Sequence, residues 1–376
     1  MKIVCDDKIP FLRGVLEPFA EVVYLPGKLT TPDVVRDADA LITRTRTKCD
    51  AALLAGSSVK VIATATIGYD HIDTAGCERN GIVWRNAPGC NSWSVKQYIA
   101  SVLVRLSRRY GLDLHAMTLG VVGVGNVGSK VAEVASLLGM RVLLNDPPRA
   151  RAEGPQAFVD LEELMERSDI ITLHVPLSRE GEDATWHLFD ASRIARLRPD
   201  QFLINSSRGP VVDNDALKAA LKAGSLRGAV LDVWEQEPDI DRELMGLLSY
   251  CTPHIAGYSA DGKANGTSMS VQAVSAVLGL PLLDWRASGV PAPAQPLSFS
   301  LDAAGKSDDE ALAEAILYTY DVARDCEALR AAPEQFEKLR GDYPVRREPT
   351  AFSLRLLGGS PALAATLKRI GFQVNL

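Results

Sequence analysis

The stretch Leu119-Gly120-Val121-Val122-Gly123-Val124-Gly125-Asn126-Val127-Gly128 narrows the fold more than any other part of the chain. A short apolar run ends in three glycines spaced G-x-G-x-x-G, and a helical pattern follows. The first glycine permits a tight turn, the second lets the backbone approach a pyrophosphate, and the third lets the helix pack on its strand. The helix N-terminus then faces the phosphates with its unsatisfied N–H groups. Alone, the motif also fits a glycine-rich turn of no function. Its surroundings decide.

Those surroundings repeat the strand–helix alternation. Apolar runs recur at 141–146, 170–174, 202–205 and 228–232, and earlier at 2–5, 22–25, 40–43 and 61–64, with residues 49–55 helical between the last two. Strands buried on both faces read as continuous apolar runs, and spacing them with helices implies a parallel sheet. Near Asn86-Ala87-Pro88-Gly89-Cys90-Asn91 the pattern breaks. A long helix is then predicted over 92–109, with Val95, Ile99, Val102, Val104 and Leu106 near helical spacing. Each strand of the later set ends at a polar, Gly or Ser position. Ligands of doubly wound sheets gather at the carboxyl ends of strands, so His174, Asn205-Ser206 and Asp232 belong on one rim.

A proline-rich linker, residues 289–296, leads into a third region of about 80 residues. It opens with Ser307-Asp308-Asp309-Glu310, an N-terminal signal for an amphipathic helix reaching about Leu329. A strand is predicted at 352–357, and a helix from about Pro361.

Composition excludes several classes. A net charge of −6 argues against a nucleic-acid partner, which needs a clustered basic surface. No apolar run reaches 18 residues, so no membrane span is expected, and the acidic turn at Cys5-Asp6-Asp7 is unlike a signal peptide. The cysteines at 5, 49, 77, 90, 251 and 326 form no C-x-x-C pair and no zinc-like cluster, so no metal is expected. Scattered thiols fit a reducing, cytoplasmic setting as bystanders, Cys90 being the one least easily dismissed.

Asp146 ends the strand after the glycine turn, 18 residues beyond Gly128. That is near the spacing of a carboxylate that binds the ribose hydroxyls, and its charge would repel a 2′-phosphate, so NAD is expected. Arg149 keeps NADP in view.

Three further segments supply a cation, a carboxylate and an imidazole in chain order: Ser206-Ser207-Arg208-Gly209, Glu235-Gln236-Glu237-Pro238 and Pro253-His254-Ile255-Ala256-Gly257. Moving a hydride to or from a 2-hydroxy acid needs a base for the hydroxyl proton and a cation for the carboxylate and developing carbonyl. His254 is the acid/base candidate, since imidazole titrates in the working range. Glu237 is the carboxylate that would orient it, and Arg208 offers a planar fork to a carboxylate. A lone loop histidine is usually a surface or capping residue and a lone Arg-Gly usually a salt bridge; the ordered set after a dinucleotide turn is what argues for catalysis. His71, His115 and His187 read as structural. His174 is a weaker candidate whose backbone lies on the ligand rim.

These segments, with residues 68–73, His174-Val175-Pro176-Leu177 and Leu231-Asp232-Val233-Trp234, resemble the D-isomer-specific 2-hydroxyacid dehydrogenase family over about residues 1–285. The resemblance implies two doubly wound parallel-sheet, Rossmann-like α/β domains with an active-site cleft between them. The lid, or substrate, domain would take 1–93 and 257–285, and the NAD domain 94–256. A small C-terminal α+β domain, 286–376, would make a homodimer. Within the family, the text at 87–91, Tyr258, Gly262-Lys263-Ala264 and the extra C-terminal region look most like members that oxidise a 4-phosphorylated four-carbon 2-hydroxy acid at C2 in vitamin B6 biosynthesis.

Carried over by position, the resemblance makes Arg208, Glu237 and His254 catalytic. It sets Gly123, Gly125, Asn126, Val127, Gly128, Asp146, Val175, Ser206, Ser207, Asp232 and Gly257 around NAD, and Thr45, Thr66 and Tyr258 on the substrate. Thr45 stands where a serine is usual, Arg46 and Tyr69 are bulkier than expected, and Gln97 replaces a glutamate. A phosphate must also be neutralised. Thr43-Arg44-Thr45-Arg46-Thr47-Lys48 interleaves three cations with hydroxyls after a strand, with Arg44 the candidate; a solvated charged turn is the plain alternative. Arg346-Arg347 would serve only by reaching across a dimer.

Rival readings are a sibling acting on 3-phosphoglycerate, glycerate or hydroxypyruvate, an NAD-sensing interaction protein without catalysis, and a C-terminal region that binds an effector.

Overall fold

A computed structural model describes residues 1–375, and the chain divides into two compact units. One comprises Met1–Asn91 with Ser259–Pro291; the other comprises Ser92–Tyr258 with the chain from Ala292 onward.

The first unit holds strands β1 (Lys2–Asp6), β2 (Glu21–Leu25), β3 (Ala40–Thr43), β4 (Val61–Thr64) and β5 (Val83–Arg85). They form one parallel sheet in the order β2-β1-β3-β4-β5, an order typical of doubly wound folds. Alternate residues feed two cores. Ile3, Ala40, Ile42, Val61 and Ala63 pack with Val271 and Val274 of helix Ala260–Leu278, while Val4, Leu41 and Ile62 pack with Val35, Leu53 and Cys77 on the other face. Gly266 lets that helix lie close on the sheet; a Cβ there would sit 2.6 Å from the Ala65 carbonyl oxygen.

The second unit is built on β6 (Thr118–Val122), β7 (Arg141–Asn145), β8 (Ile170–Leu173), β9 (Phe202–Asn205), β10 (Gly228–Leu231) and β11 (Tyr250–Cys251). All are parallel, in the order β11-β10-β9-β8-β6-β7. Phe158-Val159 runs along the free edge of β7 without becoming a strand; Val159 N–H donates to the Leu144 carbonyl (2.8 Å), and the Asn145 side chain to the Val159 carbonyl (2.8 Å). The strand order reverses between β6 and β8, and the glycine turn after β6 lies at that switch point. Helix Ser92–Tyr110 spans the predicted range and buries 13 of its 19 residues.

Residues from Ala292 onward join this unit through one continuous core that runs from Leu119 and Ile204 to Ile316 and Phe352. They add a three-stranded parallel sheet, β12 (Ser298–Asp302), β13 (Ser353–Leu357) and β14 (Gln373–Asn375), in the order β12-β13-β14. The helix expected over 307–329 is two, Asp308–Thr319 and Val322–Ala331. The break is at Tyr320, whose backbone turns extended (φ −158°), and Asp321 caps the second helix by accepting from Ala323 N–H (3.1 Å) while it pairs with Arg105. The six cysteines form no disulfide and are buried. Among the described residues no helix is long and apolar enough to cross a membrane, and no metal-ligating cluster is present.

Candidate active site

The glycine turn has the geometry a pyrophosphate requires. Gly123 sits at φ +85°, and a Cβ there would lie 2.6 Å from the His174 carbonyl oxygen, so only glycine fits. Gly128 begins helix Gly128–Leu137 so close to the strand end that a Cβ would lie 1.9 Å from the Gly123 carbonyl oxygen. Gly125 and Asn126 are exposed, and a Cβ on Gly125 would meet nothing within 4 Å. The backbone is therefore bare where a phosphate must approach, and Val127 is half-buried beneath it. Asp146 follows β7 and accepts hydrogen bonds from Val124 N–H (2.8 Å) and Arg149 N–H (3.1 Å), which fixes its carboxylate beside the turn. The Arg149 guanidinium is held by both carboxylate oxygens of Glu153 (2.7 Å each). These residues fit a dinucleotide. Val175 lies against Gly123, its Cγ1 2.8 Å from where a Cβ would be.

The next strand ends carry the polar side chains. Asn205, at the end of β9, shapes the 206–208 turn: its Oδ1 accepts from Ser207 N–H (3.0 Å) and Ser207 Oγ (2.8 Å), and its Nδ2 donates to the Arg208 carbonyl (2.8 Å). Arg208 Nη1 donates to the Ser207 carbonyl (2.8 Å). Ser206 keeps a buried Oγ without a hydrogen-bond partner. Gly209 closes the turn onto the neighbouring segment; a Cβ there would lie 1.9 Å from the Trp234 carbonyl oxygen, so the Arg208 turn rests on the backbone that leads to Glu237.

Glu237 and His254 meet. Glu237 Oε2 is 2.7 Å from His254 Nδ1, and Glu237 Oε1 accepts from Trp234 N–H (2.9 Å). The Glu237–Pro238 peptide bond is cis. Burial pushes the Glu237 carboxyl up, but the His254 hydrogen bond and charge, the Trp234 N–H and the Arg340 charge outweigh it and hold it below the ordinary value. Glu235, two residues earlier, serves a different imidazole: it lies 2.7 Å from His187 Nε2 and accepts from Asn214 N–H (2.9 Å). The paired spacing Glu-x-Glu thus sends one carboxylate to each histidine.

His254 itself has φ +58°, an uncommon backbone state for a non-glycine residue, and its side chain is 28% exposed. The loop is held by Asp232, at the end of β10. His254 N–H donates to the Asp232 carbonyl (2.8 Å). Asp232 Oδ1 accepts from Thr252 Oγ1 (2.6 Å) and Ile255 N–H (2.7 Å), and Oδ2 from Ala256 N–H (2.9 Å). Asp232 is only 1% exposed and turns its carboxylate inward onto this loop. Burial raises its carboxyl above the ordinary value against the pull of His254 and these donors. Neither this clamp nor the role of Asn205 was visible as a side-chain contact in the sequence; the polar residue closing each apolar run was the only signal.

Two other histidines have surroundings of their own. Enclosure pushes the His174 imidazole down to about 3; its Nε2 lies 3.0 Å from Thr172 Oγ1, and its buried Nδ1 has no hydrogen-bond partner. His115 pairs with Asp309 (2.9 Å) at the surface. Arg346 lies 4% exposed within its own chain and donates from Nη2 to the Ala256 carbonyl (2.6 Å), so it is no exposed arm.

Thr45, Thr66 and Arg44 belong to the first unit and share one rim there. Thr43 of β3 is in register with Thr64 of β4, so Arg44-Thr45 and Thr66 leave neighbouring strand ends. Thr66 Oγ1 donates to the Gly68 carbonyl (2.9 Å); Arg44 has a long contact to the Lys8 carbonyl (3.5 Å), and Lys48 pairs with Asp50 (3.0 Å). Gly257 and Tyr258 end the second unit's first segment, Tyr258 meeting Tyr343 edge-on with centroids 6.2 Å apart.

Known proteins resemble this arrangement. Residues 84–256 match the D-isomer specific 2-hydroxyacid dehydrogenase, NAD binding domain, and residues 294–371 match a domain of unknown function, DUF3410. Erythronate-4-phosphate dehydrogenase of Bacteroides fragilis is 52% identical over 355 residues, covering 94% of this chain and 99% of the relative. The same enzyme of Porphyromonas gingivalis is 44% identical over 378 residues, covering 99% and 100%. Among solved structures, D-lactate dehydrogenase from Aquifex aeolicus complexed with NAD and lactic acid superposes with a TM-score of 0.63 at 26% identity, over 78% of this chain and 100% of that one.

Proposed function

The chain belongs to the D-isomer specific 2-hydroxyacid dehydrogenase family, and we propose that it oxidises 4-phospho-D-erythronate at C2 to (R)-3-hydroxy-2-oxo-4-phosphooxybutanoate, with NAD as acceptor, in pyridoxal 5′-phosphate biosynthesis. The observation that carries the chemistry is the 2.7 Å contact between His254 Nδ1 and Glu237 Oε2, on the strand rim that also bears the glycine turn and Arg208.

Bound NAD supplies the hydride acceptor. Glu237 accepts from Nδ1–H, which leaves His254 Nε2 to take the proton of the C2 hydroxyl. The same carboxylate stabilises the imidazolium that results. Arg208 binds the substrate carboxylate and polarises the developing C2 carbonyl. Gly123, Gly125, Asn126, Val127 and Gly128 hold the pyrophosphate, Asp146 the ribose hydroxyls, and Val175, Ser206, Ser207, Asp232 and Gly257 complete the surroundings. Thr45, Thr66 and Tyr258 contact the substrate, and Arg44 its phosphate. The engagement of Arg149 by Glu153 favours NAD over its 2′-phosphorylated form.

We assign a homodimer through the C-terminal region and a cytoplasmic location, the latter supported by six thiols that form no disulfide. Sedimentation of the full chain across concentrations tests the first; a monomer throughout would refute it. The activity test mixes purified protein with NAD and 4-phospho-D-erythronate and follows NADH absorbance, beside 3-phosphoglycerate and glycerate. Turnover confined to the four-carbon phosphate supports the assignment. Preference for another acid, or no turnover on any, overturns it.

A further inference from the structure

The loop bearing His254 is gripped from two directions, and only one grip comes from the Rossmann sheet. Asp232 takes the N–H groups of Ile255 and Ala256. Tyr98 OH lies 2.8 Å from Thr252 Oγ1, which itself donates to Asp232, so this side of the loop ends in a buried hydroxyl chain. The Ala256 carbonyl, in the next peptide unit, receives Arg346 Nη2 at 2.6 Å. Ala256 is 1% exposed.

Arg346 is an odd structural residue. A guanidinium that is 4% exposed would ordinarily face a carboxylate bidentately. This one forms no ion pair among the described residues; it lies 4.5 Å from the ring centroid of Tyr320 and 5.8 Å from that of Tyr343, and its Nε and Nη1 find no hydrogen-bond partner. The two rings are fixed in turn, because both hydroxyls donate to Asp325 Oδ2, at 2.9 and 2.7 Å. The rigid aromatic seat thus points one cation at one carbonyl, two residues from the imidazole.

We propose that Arg346 is a positioning residue for His254, and that residues 294–371 therefore form part of the catalytic scaffold: Asp232 holds the N–H of Ala256 and Arg346 its carbonyl, so that two successive peptide units are fixed and set where the imidazole reaches. The proposal rests on the reading of His254 as the acid/base. Losing the grip leaves the peptide free to shift, and displacements of about 1 Å remote from the chemistry can cost about 100-fold in rate.

The test uses full-length Arg346→Met and Arg346→Lys, beside His254→Gln. Arg346→Met is expected to lower kcat about 30- to 100-fold, with NADH affinity, read by fluorescence, and the KM for 4-phospho-D-erythronate nearly unchanged. Arg346→Lys, which keeps a charge and one donor, should recover part of the loss and carries the comparison if Arg346→Met does not fold. Amide hydrogen exchange at Ile255 and Ala256 should quicken in both variants while that of β9 and β10 does not. Unchanged kcat, or a loss matched by the unfolded fraction, overturns the positioning role. Turnover surviving in His254→Gln would instead overturn the acid/base reading, which separates the two failures.

Discussion

Glu237→Gln isolates the role of a single charge. Glutamate at this position accepts twice, from Trp234 N–H at 2.9 Å and from His254 Nδ1 at 2.7 Å. A glutamine has one acceptor oxygen and one NH2 donor. If its oxygen keeps Trp234, its NH2 must donate to Nδ1, and the imidazole proton then moves to Nε2. That tautomer presents a donor to the C2 hydroxyl where an acceptor is needed. Loss of the charged hydrogen bond to the developing imidazolium alone removes about 1.5–3 kcal/mol, or about 10- to 150-fold in rate. The wrong tautomer adds to this, so kcat for oxidation should fall about 1000-fold. NADH affinity should change less than about threefold, because Glu237 acts on the imidazole and not on the coenzyme. The assay is steady-state NADH production beside a fluorescence titration, with circular dichroism to confirm folding. A kcat within about tenfold of the parent would refute the reasoning, since the carboxylate would then hold the loop in place without governing its proton.

Three other outcomes follow from separate features. Gly123→Ala combines a left-handed backbone with a Cβ 2.6 Å from the His174 carbonyl oxygen, so it should lower stability by about 1–3 kcal/mol and weaken NADH binding, read by thermal melting and fluorescence. Arg44→Ala should raise the KM for 4-phospho-D-erythronate far more than that for unphosphorylated erythronate; equal effects would remove this turn from the phosphate site. Glu237 also gives a pH signature. Its carboxyl is held below its ordinary 4.5, so the stability it contributes is complete above that value and is lost as pH falls through the lowered one. The melting difference between parent and Glu237→Gln should therefore be constant above about pH 5 and shrink on further acidification; a difference that grows in acid would contradict the assigned direction.

Much of the fold was legible because its central strands are apolar on both faces. Ala40–Thr43, Val61–Thr64, Ile170–Leu173, Phe202–Asn205 and Gly228–Leu231 are buried at every position, and their sequences show it. Strands at the margins did not announce themselves. Val83–Arg85 is three residues long, Tyr250–Cys251 two, and Ser298–Asp302 alternates polar and apolar with one buried residue. The break at Tyr320 was hidden too, since its cause is a fixed aromatic seat and the Arg105–Asp321 pair, which join residues 216 positions apart. The same holds at the site. Arg208, Glu237 and His254 were visible from residue type and order. The inward-facing Asp232 and the Arg346 grip were not, because each acquires its meaning only from backbone groups that folding brings to it.

The alternation of Glu235 and Glu237 has a consequence for how relatives of this chain can vary. One carboxylate answers His187 and the other His254, with a single residue between them. Adding or deleting one position between them would break the spacing that lets each carboxylate reach its own histidine. Length differences accumulated over descent should be absent from 234–238 and should collect instead where chain is cheap to add, as on the exposed bend at 179–183. The spacing is a ruler that descent cannot stretch.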